Sequence, residues 1–216
     1  MRWVLFDMNG TLLDPAGIGA PLGLTGEESL GLLDETILLA MAETLSGGDR
    51  PFPELLESCL RRRAELAGAG EDAVAEAMTL AARMPAYPGA AAAIERLRDA
   101  GLHVGVLTNT PTPRAEAALS AAGLREALEL VVGSDETGAF KPHPQVYDRG
   151  VARTGSAPGE VCMVATHGWD LLGAHRAGMR TAWVSHKERA RYPSNPEPDV
   201  EGDGLPAVAD ALARLA

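Results

Sequence analysis

The chain has 216 residues, and its 46% apolar and 23% charged content is that of a folded protein rather than a disordered one. Thirty acidic against nineteen basic residues give a formal charge of −11, which argues against nucleic acid or an anionic membrane as a partner. No apolar run approaches the roughly 20 residues of a membrane span. The opening MRWVLFDMNG lacks a secretory signal pattern, and Cys59 and Cys162 form neither a metal spacing nor a disulfide framework, so a cytoplasmic protein is expected.

Trp3–Phe6 predicts a short buried strand that stops at Asp7-Met8-Asn9-Gly10-Thr11. Residues 15–26, rich in Gly and Pro, read as a linker. The apolar period then changes from two to about 3.6, predicting helices over 29–45, 53–66 and 71–84 with no strand between them. Beyond residue 87 helices and strands alternate. Helices are predicted over 88–100, 113–122, Pro144–Thr154, 169–177 and 205–215. Strands are predicted at His103–Leu107, 128–132, Val161–Ala165 and 181–184, and 192–204 reads as a turn-rich loop. Such alternation means βαβ units and a parallel sheet covered on both faces. The expected fold is a doubly wound α/β core, residues 1–13 and 87–216, with a small helical cap over 14–86 inserted after the first strand.

Ligands of open parallel sheets bind outside the carboxyl ends of the strands. That rule singles out Asp7 and Asn9 after the first strand, Thr108 and Asn109 after the second, Lys141 after the third, and 166–170 after the fourth. A carboxylate such as Asp7 at a strand end can act as a nucleophile or simply hold a turn. Only two of the nineteen basic residues are lysines, Lys141 and Lys187. In a chain that otherwise uses arginine, Lys141 at a strand end points to a need for a compact ammonium rather than a forked guanidinium.

The segments FDMNGTLLD, VLTN, FKPHPQVY and VATHGWDLLGAHRAGMRTAWV, in that order, resemble the haloacid dehalogenase superfamily of aspartate-nucleophile hydrolases, over essentially the whole core. The resemblance implies a Rossmann-type core, Asp7 as nucleophile, Thr11, Thr108 and Asn109 as substrate-binding groups, and Lys141 as the charge that steadies the nucleophile. Phosphatase-like members carry a second aspartate where this chain has Asn9, and an acidic residue where it has Thr166. Asparagine cannot exchange a proton, and such acid–base help is worth about 10²–10⁴-fold. The stretch His167-Gly168-Trp169-Asp170 instead looks like the metal-free 2-haloacid dehalogenase branch. There Asp170 pairs with Lys141 or orients the hydrolytic water, His167 assists as a base, and Tyr147 reaches the pocket from a helix. That branch also supplies an arginine early in its cap, whereas no arginine lies between Arg2 and Arg50 here. Arg50, Arg61, Arg62 and Arg63 are the alternatives, with 61–63 expected on a solvated helix face.

Three readings follow. The first is hydrolysis of a carbon–halogen bond through an ester on Asp7, with a small anionic organic substrate and no cofactor. The second is a phosphatase of a small metabolite, with Mg²⁺ held by Asp7 and Asp170. The third is a retired enzyme that binds an anion or a partner without turnover. An apolar cap face leaves a homodimer open.

Overall fold

The computed structural model describes residues 1–216. Its strands are β1 (Trp3–Phe6), β2 (His103–Leu107), β3 (Leu130–Val132), β4 (Val161–Ala165), β5 (Arg180–Val184) and β6 (Val200–Gly202). Its helices are α1 (Gly26–Ser46), α2 (Phe52–Ala67), α3 (Glu71–Ala81), α4 (Ala90–Asp99), α5 (Thr112–Ala121), α6 (Pro144–Thr154), α7 (Gly168–Arg176) and α8 (Leu205–Ala213). All six strands run parallel in one sheet of order β3-β2-β1-β4-β5-β6. The order reverses between β1 and β4, the switch point where ligands of such sheets bind.

The two-residue period of β1 divides the core. Val4 and Phe6 face the apolar layer shared with α4 and α8, whereas Leu5 faces the layer built with Val146 and Tyr147 of α6 and Ala174 of α7. Phe6 lies level with Val106 on β2 and Val164 on β4. Asp7 therefore leaves the sheet beside the ends of its two neighbours, in reach of residues 108 and 166.

Helices α1 to α3 pack on one another between β1 and α4. The chain leaves and returns along paired segments, with Asp14 N–H donating to Pro85 O and Tyr87 N–H to Leu12 O, each at 2.8 Å. Helix α1 starts at a capping box: Thr25 accepts from the Glu28 N–H while the Glu28 carboxylate accepts from the Thr25 N–H.

Several sequence expectations need correction. Residues 15–26 are not a free linker. They form two 3-10 turns, Pro15–Gly17 and Ala20–Leu22, whose Ile18 and Leu22 are buried. Helix α3 ends at Ala81 rather than 84, and α8 at Ala213 rather than 215. The third strand is shorter than predicted because Arg125–Ala127 makes a 3-10 turn before it. The 192–204 segment contains β6, a strand of three residues of which only Val200 is buried, too brief to show a period.

Candidate active site

Three ionic side chains meet at the switch point. Lys141, from the loop before α6, is fully buried. Its Nζ donates to Asp7 Oδ1 at 2.8 Å, to Asp170 Oδ2 at 2.6 Å and to the Leu107 carbonyl at 2.9 Å, which uses all three ammonium donors. Asp170, in the first turn of α7, also accepts from the Tyr147 hydroxyl at 2.7 Å. Tyr147 lies flat against α7 because residue 173 is glycine, and any Cβ there would collide with the phenol ring.

Burial pulls each of these groups toward its neutral form. For Asp7 that pull is outweighed by the Lys141 ammonium together with His167, which holds the carboxyl well below the usual carboxylate range. Burial is the main cause that pushes Asp170 up; the Asp7 charge adds to it and Lys141 opposes it. Burial tends to lower Lys141, but Asp170 and Asp7 prevail and raise it. Burial and the Asp170 charge drive the Tyr147 phenol well above its ordinary value, so it stays a donor. Asp7 is thus ionised throughout the neutral range.

Thr11 stands behind the nucleophile position. Its hydroxyl donates to Asp7 Oδ2 at 2.9 Å and accepts from the Thr166 N–H at 3.1 Å. Thr11 and Tyr147, expected to touch substrate, are both fully buried and support Asp7 and Asp170 from behind instead. Asn109 accepts the Lys141 N–H at 2.8 Å, Thr108 accepts the Thr110 N–H, and the Asn9 amide donates to Thr110 Oγ1 at 3.1 Å. The backbone N–H groups of Met8, Asn9 and Asn109 make no hydrogen bond within the chain, leaving a cluster of donors beside Asp7.

His167 is 1% exposed. Its Nδ1 lies 3.3 Å from Asp7 Oδ2, near enough to feel its charge but out of line for a good hydrogen bond. Gly10 makes this approach possible: its φ of 86° is a glycine conformation, and an added Cβ would come within 3.0 Å of the His167 ring. Trp169 faces both His167, with ring centroids 5.3 Å apart, and Lys141, whose Nζ is 5.9 Å from its ring centre.

Leu33 and Ile37 of α1 and Phe52 of α2 close the pocket over Asp7, Asn9, Thr108, Asn109, His167 and Trp169. The remaining volume is about 10 Å³, room for about one water. A neighbouring cavity of about 110 Å³, lined by Met8, Leu56, Met78 and Met84 among others, shares Asn9 and Phe52 with this pocket. None of the alternative arginines enters. Arg50 pairs with Glu43, Arg61 with Glu57 and Glu71, and Arg62 and Arg63 with Glu35.

Magnesium does not fit these residues. Lys141 Nζ takes one oxygen each of Asp7 and Asp170, and the neighbouring side chains Asn9 and Thr166 bring no charge to the site, whereas magnesium is held by hard, mostly anionic oxygens. No group of three His, Cys, Asp or Glu side chains is placed to hold a metal ion.

Sequence reasoning missed one polar member of the site. Lys187, in the loop after β5, lies 3.1 Å from His167 Nε2 and pairs with Asp34 of α1. The scarcity of lysine, two residues in the whole chain, was the signal that could have found it.

Comparison with known proteins shows the family of the chain. The family model for haloacid dehalogenase-like hydrolases matches residues 1–178. (S)-2-haloacid dehalogenase 1 of Pseudomonas sp. (strain CBS-3) is 31% identical over 192 residues, 86% of this chain and 85% of that protein. A phosphoserine phosphatase of Thermus thermophilus is 36% identical over 172 residues, 76% of this chain and 65% of that protein. The match to a further relative, (S)-2-haloacid dehalogenase 4A of Burkholderia cepacia, spans about half of that protein's length, 54%. A solved structure described as a dehalogenase superposes with a TM-score of 0.90 at 26% identity, covering 100% of this chain and 97% of the other. The chain belongs to the haloacid dehalogenase-like hydrolases.

Proposed function

We propose that this hydrolase cleaves carbon–halogen bonds of small 2-haloacids through an ester on Asp7, without a metal. The observation that carries the reading is an Asp7 kept ionised by the Lys141 ammonium clamped between it and Asp170, in a site whose neighbouring positions 9 and 166 are the uncharged Asn9 and Thr166. An Asp7 oxygen attacks the carbon bearing the halogen from the rear. The C–O bond forms as the C–X bond breaks, and halide leaves with the bonding pair, needing no proton. Water then attacks the Asp7 carbonyl carbon; the C–O bond to the enzyme's carboxyl carbon breaks, releasing a 2-hydroxy acid of inverted configuration and a proton. Lys141 balances the charge on Asp7 before attack and as the carboxylate is regenerated. Asp170, held by Lys141 and Tyr147, keeps the ammonium against Asp7 while the water attacks, with His167 lining the pocket beside Asp7.

Arg50, Arg61, Arg62 and Arg63 are paired away from the pocket, and the free N–H groups of Met8, Asn9 and Asn109 hold the substrate carboxylate in our reading. The side chain of the substrate runs past Asn9 and Phe52 into the 110 Å³ cavity. A cavity of about 150 Å³ accommodates benzene, so a short alkyl group fits. We place this activity in the cytoplasm, where two free buried thiols are in keeping with a reducing compartment. We further propose a homodimer formed through α1, whose Leu38 and Leu45 are exposed.

The test is halide release from 2-chloro acids of two to six carbons in the presence of a chelator. Release with inverted product, and a KM that falls with chain length up to the cavity's limit, supports the reading. Phosphate release dependent on magnesium, with no halide released, would overturn it.

A further inference from the structure

Both lysines of this arginine-rich chain lie in the same site. Lys187 is as unlike a surface lysine as Lys141: its side chain is only 6% exposed, and its ammonium sits between Asp34 on α1 and Nε2 of His167. The far side of the same imidazole faces Asp7 Oδ2 at 3.3 Å. A continuous polar line therefore runs from α1 to the nucleophile position through Asp34, Lys187, His167 and Asp7.

The direction of this line is fixed by donor counting. An ammonium has three donors and no acceptor, so His167 Nε2 must accept from Lys187. The imidazole is then neutral and carries its proton on Nδ1, facing Asp7. The line also joins two parts of the molecule, since Asp34 belongs to the helical segment while Lys187, His167 and Asp7 belong to the sheet side. A compact ammonium on a flexible stem can fill the gap between a carboxylate and a ring nitrogen, where a planar guanidinium would need different geometry.

We infer that Lys187 is a positioning residue that holds His167 in the Nδ1–H form toward Asp7, and that its pairing with Asp34 ties this arrangement to the seating of α1 over the site. The inference rests on the reading of Asp7 as nucleophile. With Lys187 in place, the Nδ1 edge of the His167 ring stays turned toward Asp7 at 3.3 Å. Without it, Nε2 loses its donor and the ring is free to change tautomer or turn away from Asp7. The charged and titratable groups around His167 are Asp7 with its partner Lys141, Lys187 with Asp34, His186 from the same loop as Lys187, and Glu188, which accepts the Gly168 N–H at 2.9 Å.

The experiment compares K187M, K187R, D34N, H167N and the K187M/H167N double variant by kcat, KM and ring-nitrogen NMR of the histidines, using the full chain and 2-chloropropionate. K187M is expected to lower kcat about tenfold, the equivalent of one lost hydrogen bond, with KM little changed. The NMR signature of the His167 ring should move from the Nδ1–H form toward a mixture of the two tautomers. D34N should act in the same direction with a smaller effect, and K187R should restore only part of kcat. The double variant should be no slower than H167N alone, because both changes remove one arrangement. A K187M protein with unchanged kcat and histidine spectrum overturns the inference, as do losses that multiply in the double variant. D7N separates the two levels: an inactive D7N with an unaffected K187M defeats only the role of Lys187, whereas an active D7N defeats the nucleophile reading beneath it.

Discussion

The sheet edge and the helical segment α1–α3 meet over the same small pocket but contribute opposite chemistry. The sheet edge supplies the carboxylates, the ammonium, the amides and the imidazole, through Asp7, Asn9, Thr108, Asn109, Lys141, His167 and Asp170. The helices supply Leu33, Ile37 and Phe52 to the pocket wall, while Asp34 reaches the site only through Lys187. In this account, therefore, reactivity belongs to the sheet edge, and the helices exclude water and select the substrate. A low-dielectric cover also strengthens every charge interaction beneath it, so an apolar lid and a charged floor act together.

The largest effects should come from breaking the charged floor. D7N should abolish turnover while leaving the fold intact, because it removes one of two carboxylates that repel each other around a single ammonium; thermal unfolding should shift by only a few degrees. K141M should abolish turnover as well, but at a structural cost. It leaves Asp7 and Asp170 buried and unpaired, and removing one partner of a buried ionic cluster typically costs about 3–5 kcal/mol, readable by denaturant unfolding. If K141M unfolded like the native protein, the two carboxylates would not depend on the ammonium as described.

A change in the lid should sharpen the contrast without destroying activity. I37R places a guanidinium over Asp7 where the apolar wall now stands. It should lower KM for 2-chloropropionate about tenfold, since a hydrogen bond to a charged group is worth about 1.5–3 kcal/mol. An unchanged or higher KM would mean that the backbone N–H groups already hold the carboxylate fully. N9D tests the floor from the other side. A second carboxylate beside Asp7 should slow halide release and still give no phosphatase activity with magnesium, because Lys141 and Thr166 remain; magnesium-dependent turnover of a phosphate ester by N9D would reopen the phosphatase reading.

The smallest effect concerns pH. Asp7 is held low and Asp170 is pushed up, so the acid limb of the kcat profile should follow Asp170 and lie above an ordinary aspartate value. The stability linkage has opposite signs at the two residues. The depressed Asp7 contributes stability that is present above its unfolded pKa and is lost as pH falls through its folded value. The raised Asp170 favours the fold at low pH, and that contribution fades as pH rises through its folded value. Their partial cancellation predicts a shallow loss of stability in acid, measurable by thermal unfolding across pH; a steep loss near the ordinary aspartate range would contradict it.

The same contrast explains what could be read from the sequence. Asp7, Lys141 and Asp170 were legible because each sits at the end of a short apolar strand, in the loop that follows or in the first turn of the next helix, where the switch-point rule already looks. Tyr147 was legible only as a residue near the pocket, and its bond to Asp170 depends on Gly173, twenty-six positions away in the chain. The lid was harder. A period of 3.6 shows that α1 has an apolar face, but it cannot show that Leu33 and Ile37 look at Asp7 while Leu38 and Leu45 look at solvent. Lys187 and β6 lie in or beside a loop without periodicity, so composition was the one available signal for the first, and the second left none.

The most direct test of the covalent account follows oxygen. The protein is turned over many times with a 2-haloacid in ¹⁸O-water, digested, and the peptide containing Asp7 is weighed by mass spectrometry. Water attacking the Asp7 ester leaves heavy oxygen in the enzyme's own carboxylate, so label in that peptide, without added metal and with halide released, is the predicted result. Halide release with label in the 2-hydroxy acid and none in Asp7 would mean that water attacks the substrate directly, and the nucleophile assigned to Asp7 would be wrong.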